Sequence, residues 1–170
     1  SNEAAAALLA GDDARLQGLQ GVFTLLVIDP AERRILAAND LLGVHPFYVG
    51  RREGVWVLAD RAEAVARVGE AAADPVGLGG WLHFGTPLAD RTVYEGVSRL
   101  GPASISEWSP AGESSRAYWT ADVEEEPIDA DELLDAWQER FSASLARLTE
   151  PHDQVTSLLS GGYDSRLCLL

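Results

Sequence analysis

The chain has 170 residues, 46% of them hydrophobic and 24% charged, which is enough for one sizeable core or two small ones in an ordinary globular protein. Thirteen arginines, no lysine and 27 acids give a formal net charge of −14. That balance argues against nucleic acid or an anionic membrane surface as a partner, since both are met by clustered cations.

Taken in chain order, residues 3–19 carry helix formers interrupted at Gly11, which predicts two short helices. Four β-rich runs follow, "GVFTLLVIDP", "RRILAAND", "PFYVGRREG" and "VWVLAD", separated by short polar turns. They predict an antiparallel meander of four strands. A meander needs a second layer over its apolar face, and the helix expected at 62–68 is too short to supply it alone. "LGGWLHFGTP" with "TVYEGVSRLGPASISEWSPAG" (92–112) reads as loop, turn and a further hairpin, punctuated by Gly-Pro and Ser-Pro. The acidic run "DVEEEPIDADE" resembles an exposed connector.

The strongest helical period lies after that connector, where Leu133, Leu134, Trp137, Phe141, Leu145 and Leu148 share one face and Asp129 or Asp131 can cap the start. The stripe is expected to pack in a core, and the five tryptophans are read as packing residues. "VTSLL" (155–159) then predicts a buried strand, broken by Ser160-Gly161-Gly162 before an apolar face resumes at Leu167. A strand, a glycine turn and a helix start form a cradle for anions, because glycine admits close backbone approach and the first helical N–H groups lack internal partners. The plainer reading is an ordinary turn with Ser and Asp as caps; the small polar residues on both sides of the glycines, with an acid able to hold magnesium, favour nucleotide binding.

Cys168 is the single cysteine, so an internal disulfide is excluded and a reducing, cytoplasmic setting is expected. Its apolar neighbours predict a buried, unreactive thiol. His45, His83 and His152 are isolated from one another, and loop hydrogen bonding is the expectation for each. No run approaches membrane-spanning length and no signal peptide is visible. Methionine is absent, and Ser1-Asn2 reads as the remnant of a removed tag, so the sequence is expected to be a piece of a longer polypeptide.

Three stretches together resemble the glutamine-dependent asparagine synthetases. "GVFTLLVIDPAERRILAANDLLGVHPFYV" is similar to that family's Gly-x-Phe strand and Arg-Asp-x-x-Gly-(Val/Ile)-x-Pro-Leu-Tyr stretch, through Gly21, Phe23, Asp29, Asp40, Gly43, Pro46 and Tyr48. Glu95-Gly96, Leu100, Pro102 and Tyr118-Trp119 match its next landmark, and "LLSGGYDSR" resembles its Ser-Gly-Gly-x-Asp-Ser pyrophosphate loop. Asn39 departs from the family's Arg, and Tyr163 and Arg166 stand where a Leu and a small residue are commoner.

The resemblance implies an α+β region followed by an α/β one. Residues 1–120 would be the second half of a class II glutaminase-like domain, an Ntn-hydrolase αββα sandwich whose partner sheet comes from a preceding half. Residues 121–170 would begin a synthetase domain, as the first strand, loop and helix of a doubly wound parallel sheet. It further implies ATP and Mg²⁺, with Leu158 near adenine or ribose, Ser160, Gly161, Gly162 and Ser165 on the pyrophosphate, and Asp164 on the metal. The implied chemistry is activation of a carboxylate at the α-phosphorus of ATP, loss of pyrophosphate, and attack by ammonia or an amine, as in asparagine biosynthesis.

No catalytic residue of the glutaminase can be assigned; Ser1 as an N-terminal hydroxyl nucleophile is set aside because a helix, not a strand, follows it. Small-molecule substrates are expected (ATP, a carboxylate, glutamine or ammonia), with a homodimer left open. The alternatives are a non-catalytic structural or dimerisation module, or another synthetase with the same loop, such as a β-lactam or lasso-peptide cyclase. An NAD or GMP synthetase or a tRNA-thiolating enzyme would share the loop without the upstream landmarks.

Overall fold

A computed structural model describes residues 2–123 and 129–169. Ser1, the central part of the acidic connector and Leu170 lie outside the described residues, and with them the expectations that rest on them. The chain divides into two compact units, Ser1–Ala121 and Asp122–Leu170.

Unit 1 opens with α1 (Asn2–Ala10) and α2 (Asp13–Gln17), separated at Gly11 as expected. Asp12 caps α2 by accepting a hydrogen bond from Arg15 N at 3.1 Å. β1 (Thr24–Asp29) and β2 (Arg34–Asn39) form a hairpin, and so do β3 (Tyr48–Arg52) and β4 (Val55–Ala59). The four strands are the expected ones, but they do not make one meander. β1 and β2 belong to a sheet ordered β1-β2-β6-β7, while β3 and β4 belong to another ordered β4-β3-β5. The free edge of β2 is taken by β6 (Ser104–Ser109), with Ile35 opposite Trp108. A pairing at that sequence distance leaves no trace in local periodicity.

Alternation along the strands shows how the layers stack. Leu36 and Ala38 of β2 pack with Leu8 and Leu16 of the N-terminal helices, whereas Ile35 and Ala37 join Val49, Trp56, Leu58 and Trp108 between the two sheets. On the far side, Val57 and Ala59 of β4 meet Val65 and Ala66 of α3 (Ala62–Gly69). The order is helix, sheet, sheet, helix. The second layer is therefore built by this chain's own β3, β4 and β5 (Ser98–Arg99), correcting the expectation that a preceding half must supply it. Trp108, 1% exposed, fills the space between the sheets.

A second correction concerns 75–84, where the loop expected across "LGGWLHF" is α4 (Pro75–Phe84). Asp74 caps it by accepting from Val76 N at 2.8 Å, Pro75 takes a first-turn position, and Gly85 closes it at φ +75°. Three internal glycines hid the helical signal. Gly77 has a packing reason: a Cβ there would lie 1.8 Å from the carbonyl oxygen of Thr92. The hairpin β6–β7 (β7, Gly112–Ala117) completes unit 1 as expected.

Unit 2 contains α5 (Ala130–Thr149), capped by Asp129 as expected, and α6 (Tyr163–Leu167). The expected core packing of the α5 stripe is not met within the described residues, for no residue of α5 is buried and Leu133, Leu134, Trp137 and Leu148 are exposed. Periodicity registers an apolar face, but burial also requires a surface laid on it. Trp137 stacks on Phe141 at 5.0 Å, and Trp81 and Trp119 are likewise exposed, so packing describes only Trp56 and Trp108 well. Residues 155–159 form no strand: they join no ladder among the described residues, and a strand exists only through its neighbour's hydrogen bonds. Cys168, expected to be buried, is exposed.

Candidate functional site

The loop between 158 and 165 adopts the turn that its glycines predict. Gly161 takes φ +80°, and Gly162 sits at the N-cap of α6 in extended geometry. Ser160 Oγ lies 3.2 Å from Ser165 Oγ and accepts from Gly162 N at 3.4 Å, while Ser165 Oγ donates to the carbonyl oxygen of Gly162 at 3.1 Å. The two serines expected to share a ligand are thus brought together across the glycines. Asp164 stands exposed in the first turn of α6, beside the helix end whose N–H groups lack intrahelical partners. Leu158 is 87% exposed. Arg166 lies over the Tyr163 ring at 4.6 Å and donates Nε–H to Gly162 O at 3.4 Å, so the two departures within the loop contact one another.

One carboxylate and nearby hydroxyls suit magnesium arriving with a phosphate ligand, since that ion takes one or two protein carboxylates and completes its shell with phosphate oxygens and water. They do not suit an all-protein site. Among the described residues, no three His, Cys, Asp or Glu side chains gather at metal-binding distance.

In unit 1 several of the landmark residues gather around Asp40, which is 3% exposed. Its carboxylate accepts backbone N–H groups from Phe23, Leu42, Val44 and His45 at 3.1–3.4 Å. Burial, the largest single influence, favours the neutral acid, but the four donors together outweigh it and hold the carboxyl below its ordinary 3.8. The Asp40 carbonyl accepts from Gly43 N and Ala103 N, and the flanking Pro102 crowds Gly43: a Cβ on Gly43 would approach Pro102 Cα to 3.1 Å. Gly43 also holds φ +59°, the left-handed region.

Asn39, fully buried, donates its amide to the carbonyls of Leu100 and Gly101 and accepts from Thr24 Oγ1 at 2.8 Å. Tyr118 Oη donates to Asn39 O at 2.6 Å. Burial and the Asp40 charge both push the Tyr118 phenol upward. His45 lies 3.3 Å from Thr24 Oγ1, which bears out loop hydrogen bonding for that residue. Sequence reasoning had missed Asn39 as a hub, because one buried amide leaves no periodic signal.

Residues 4–119 match the profile of the family described as "Glutamine amidotransferase domain". The chain belongs to that family. Over 150 residues it is 25% identical to asparagine synthetase [glutamine-hydrolyzing] 3 of Bacillus subtilis (strain 168), covering 86% of the chain and 24% of the relative. This amidotransferase-domain chain therefore spans about a quarter of the relative's length. At 86% coverage the similarity necessarily continues past residue 119 into unit 2. The asparagine-synthetase resemblance seen in the sequence is upheld, and the antiparallel sheets with flanking helices of unit 1 fit an α+β amidotransferase fold. No described helix is long and apolar enough to cross a membrane.

Proposed function

We propose that the parent protein of this chain forms an amide from a carboxylate by using ATP, with unit 1 as the later half of an Ntn-type glutaminase-like domain and unit 2 as the start of the ATP-binding synthetase domain. The observation that carries this reading is the Ser160–Ser165 loop, whose two serines meet across the glycines C-terminal to the amidotransferase-domain match. Ser160 and Ser165 would offer hydroxyls to the pyrophosphate portion of ATP, Gly161 and Gly162 would admit it to the backbone, and Leu158 would lie towards the nucleoside. Their action is binding and orientation, which convert a bimolecular encounter into a placed one. Asp164 would hold Mg²⁺, which supplies neutralisation of phosphate charge when bound.

The unit 1 landmarks support a framework role for this part of the domain. Asp40, Gly43, Pro102 and Tyr118 all engage backbone or one another. Glutamine or ammonia as nitrogen source, the carboxylate, and a homodimer belong to the parent. The test is ATP–pyrophosphate exchange by the parent protein with aspartate as the first carboxylate offered. We expect Asp164→Ala and the double change Ser160→Ala/Ser165→Ala to lower exchange at least about a hundredfold, in line with the loss of a single preorganised charge-stabilising group. The 170-residue chain alone should show none. Robust exchange by either variant would overturn the assignment of the loop.

A further inference from the structure

A cavity of about 410 Å³ opens in unit 1 between the start of α3, the end of α4 and the segment 86–94, a size suited to a small molecule. It shares no residue with the 158–165 loop. Three of the chain's thirteen arginines, Arg61, Arg91 and Arg99, line it, against two of the 27 acids, Asp60 and Glu63. In a molecule of net charge −14 that is a local reversal of sign.

The arginines are placed by specific bonds. Arg91 Nη1 donates to Asp74 Oδ2 at 2.7 Å, and Asp74 is itself fixed as the cap of α4. Arg99 Nη2 donates to the Gly43 carbonyl at 2.6 Å, and among the described residues it has no carboxylate partner. Arg61 meets Glu63 at 3.4 Å in an exposed pair. Each guanidinium has five N–H donors in a planar fork and uses only one in these contacts, so most remain for a ligand. Trp81, Tyr48 and Tyr94 add flat walls.

We infer that this cavity binds a small organic anion, whose carboxylate or phosphate oxygens are held by Arg61, Arg91 and Arg99 beside the Trp81 ring. The site is independent of the ATP reading, and its test involves no catalysis. The whole 170-residue chain is titrated at constant ionic strength with citrate and, separately, with inorganic phosphate, against sodium chloride as control. Intrinsic fluorescence and the thermal midpoint are followed together. At least one anion should raise the midpoint and change the emission at millimolar concentration; a response to citrate alone identifies a carboxylate ligand, and one to phosphate alone a phosphorylated ligand.

Trp81→Phe should remove the emission change while leaving the midpoint rise. Arg61→Gln should weaken binding about tenfold, and so should Arg91→Lys, which keeps a cation for Asp74. Should Arg91→Lys fail to fold, Arg61→Gln decides, because its side chain bonds only the exposed Glu63. No response beyond that of chloride, or affinity unchanged in Arg61→Gln, would overturn the proposal.

Discussion

Asp40 offers its carboxylate to four backbone N–H groups and its carbonyl to two more, so one residue fixes the course of the chain from β2 to β3. Asp40→Asn keeps the shape but turns one acceptor oxygen into a donor that faces other donors. The expected loss is about 1–3 kcal/mol of stability, read by urea unfolding of the two variants. The same carboxylate predicts the response to acid. Its folded pKa lies below the ordinary 3.8, so the unfolded chain binds the proton more readily. The stabilisation is complete above that unfolded value and is lost as pH falls from there through the lower folded one. Melting at a series of pH values should show a drop below about 4 that is smaller in Asp40→Asn. Equal acid sensitivity of the two proteins would remove Asp40 from the account. At this scale Asp40 and Gly43 were legible as landmarks, but what they bond to was not, since the partners lie in segments up to about sixty residues away.

Among elements, α4 tests how far packing overrides composition. Three glycines and a weak amphipathic pattern suggested a loop, yet Asp74, Pro75 and Gly85 supply both ends of a helix. Gly77 lets that helix lie against the Thr92 backbone, where no Cβ fits. Gly77→Ala would raise intrinsic helix propensity by about 1 kcal/mol and still destabilise unit 1, because the contact is with backbone that cannot rotate away. A lower thermal midpoint for Gly77→Ala than for the exposed control Gly79→Ala, which meets nothing within 4 Å, is the expected result. Equal or higher stability would mean that α4 can shift outward at little cost. The strands tell the complementary story: all four early runs were legible from β-rich composition and the polar turns between them, but their partition between two sheets depended on the pairing of β2 with β6 and of β3 with β5.

For the whole molecule, unit 1 carries its own layered core around Trp108, and the hydrogen bonds of Tyr118 close it near its C-terminal end. A chain ending at Ala121 should therefore retain the cooperative unfolding transition of unit 1, with the near-ultraviolet circular dichroism of its buried tryptophan. A molten transition in the shortened chain would show that residues beyond 121 complete that core. Removing a large buried aromatic costs about 3–5 kcal/mol, so Trp108→Ala in the shortened chain should lower the thermal midpoint by roughly ten degrees or more.

Composition, turn chemistry and motif spacing by themselves determined the early strands, the break at Gly11, the capped helix carrying Leu133 to Leu148, the glycine turn at 160–162 and the resemblance to glutamine-dependent asparagine synthetases. Each is local, set by the backbone freedom of a few residues or the period of one element. Only the tertiary structure decided that two sheets face each other within this chain, that Asn39 and Asp40 tie β2 to the 100–103 turn, that the stripe of α5 is exposed, and that Arg61, Arg91 and Arg99 line one cavity. These depend on which distant surfaces meet, and a residue's own neighbours in sequence exert no force that selects among them.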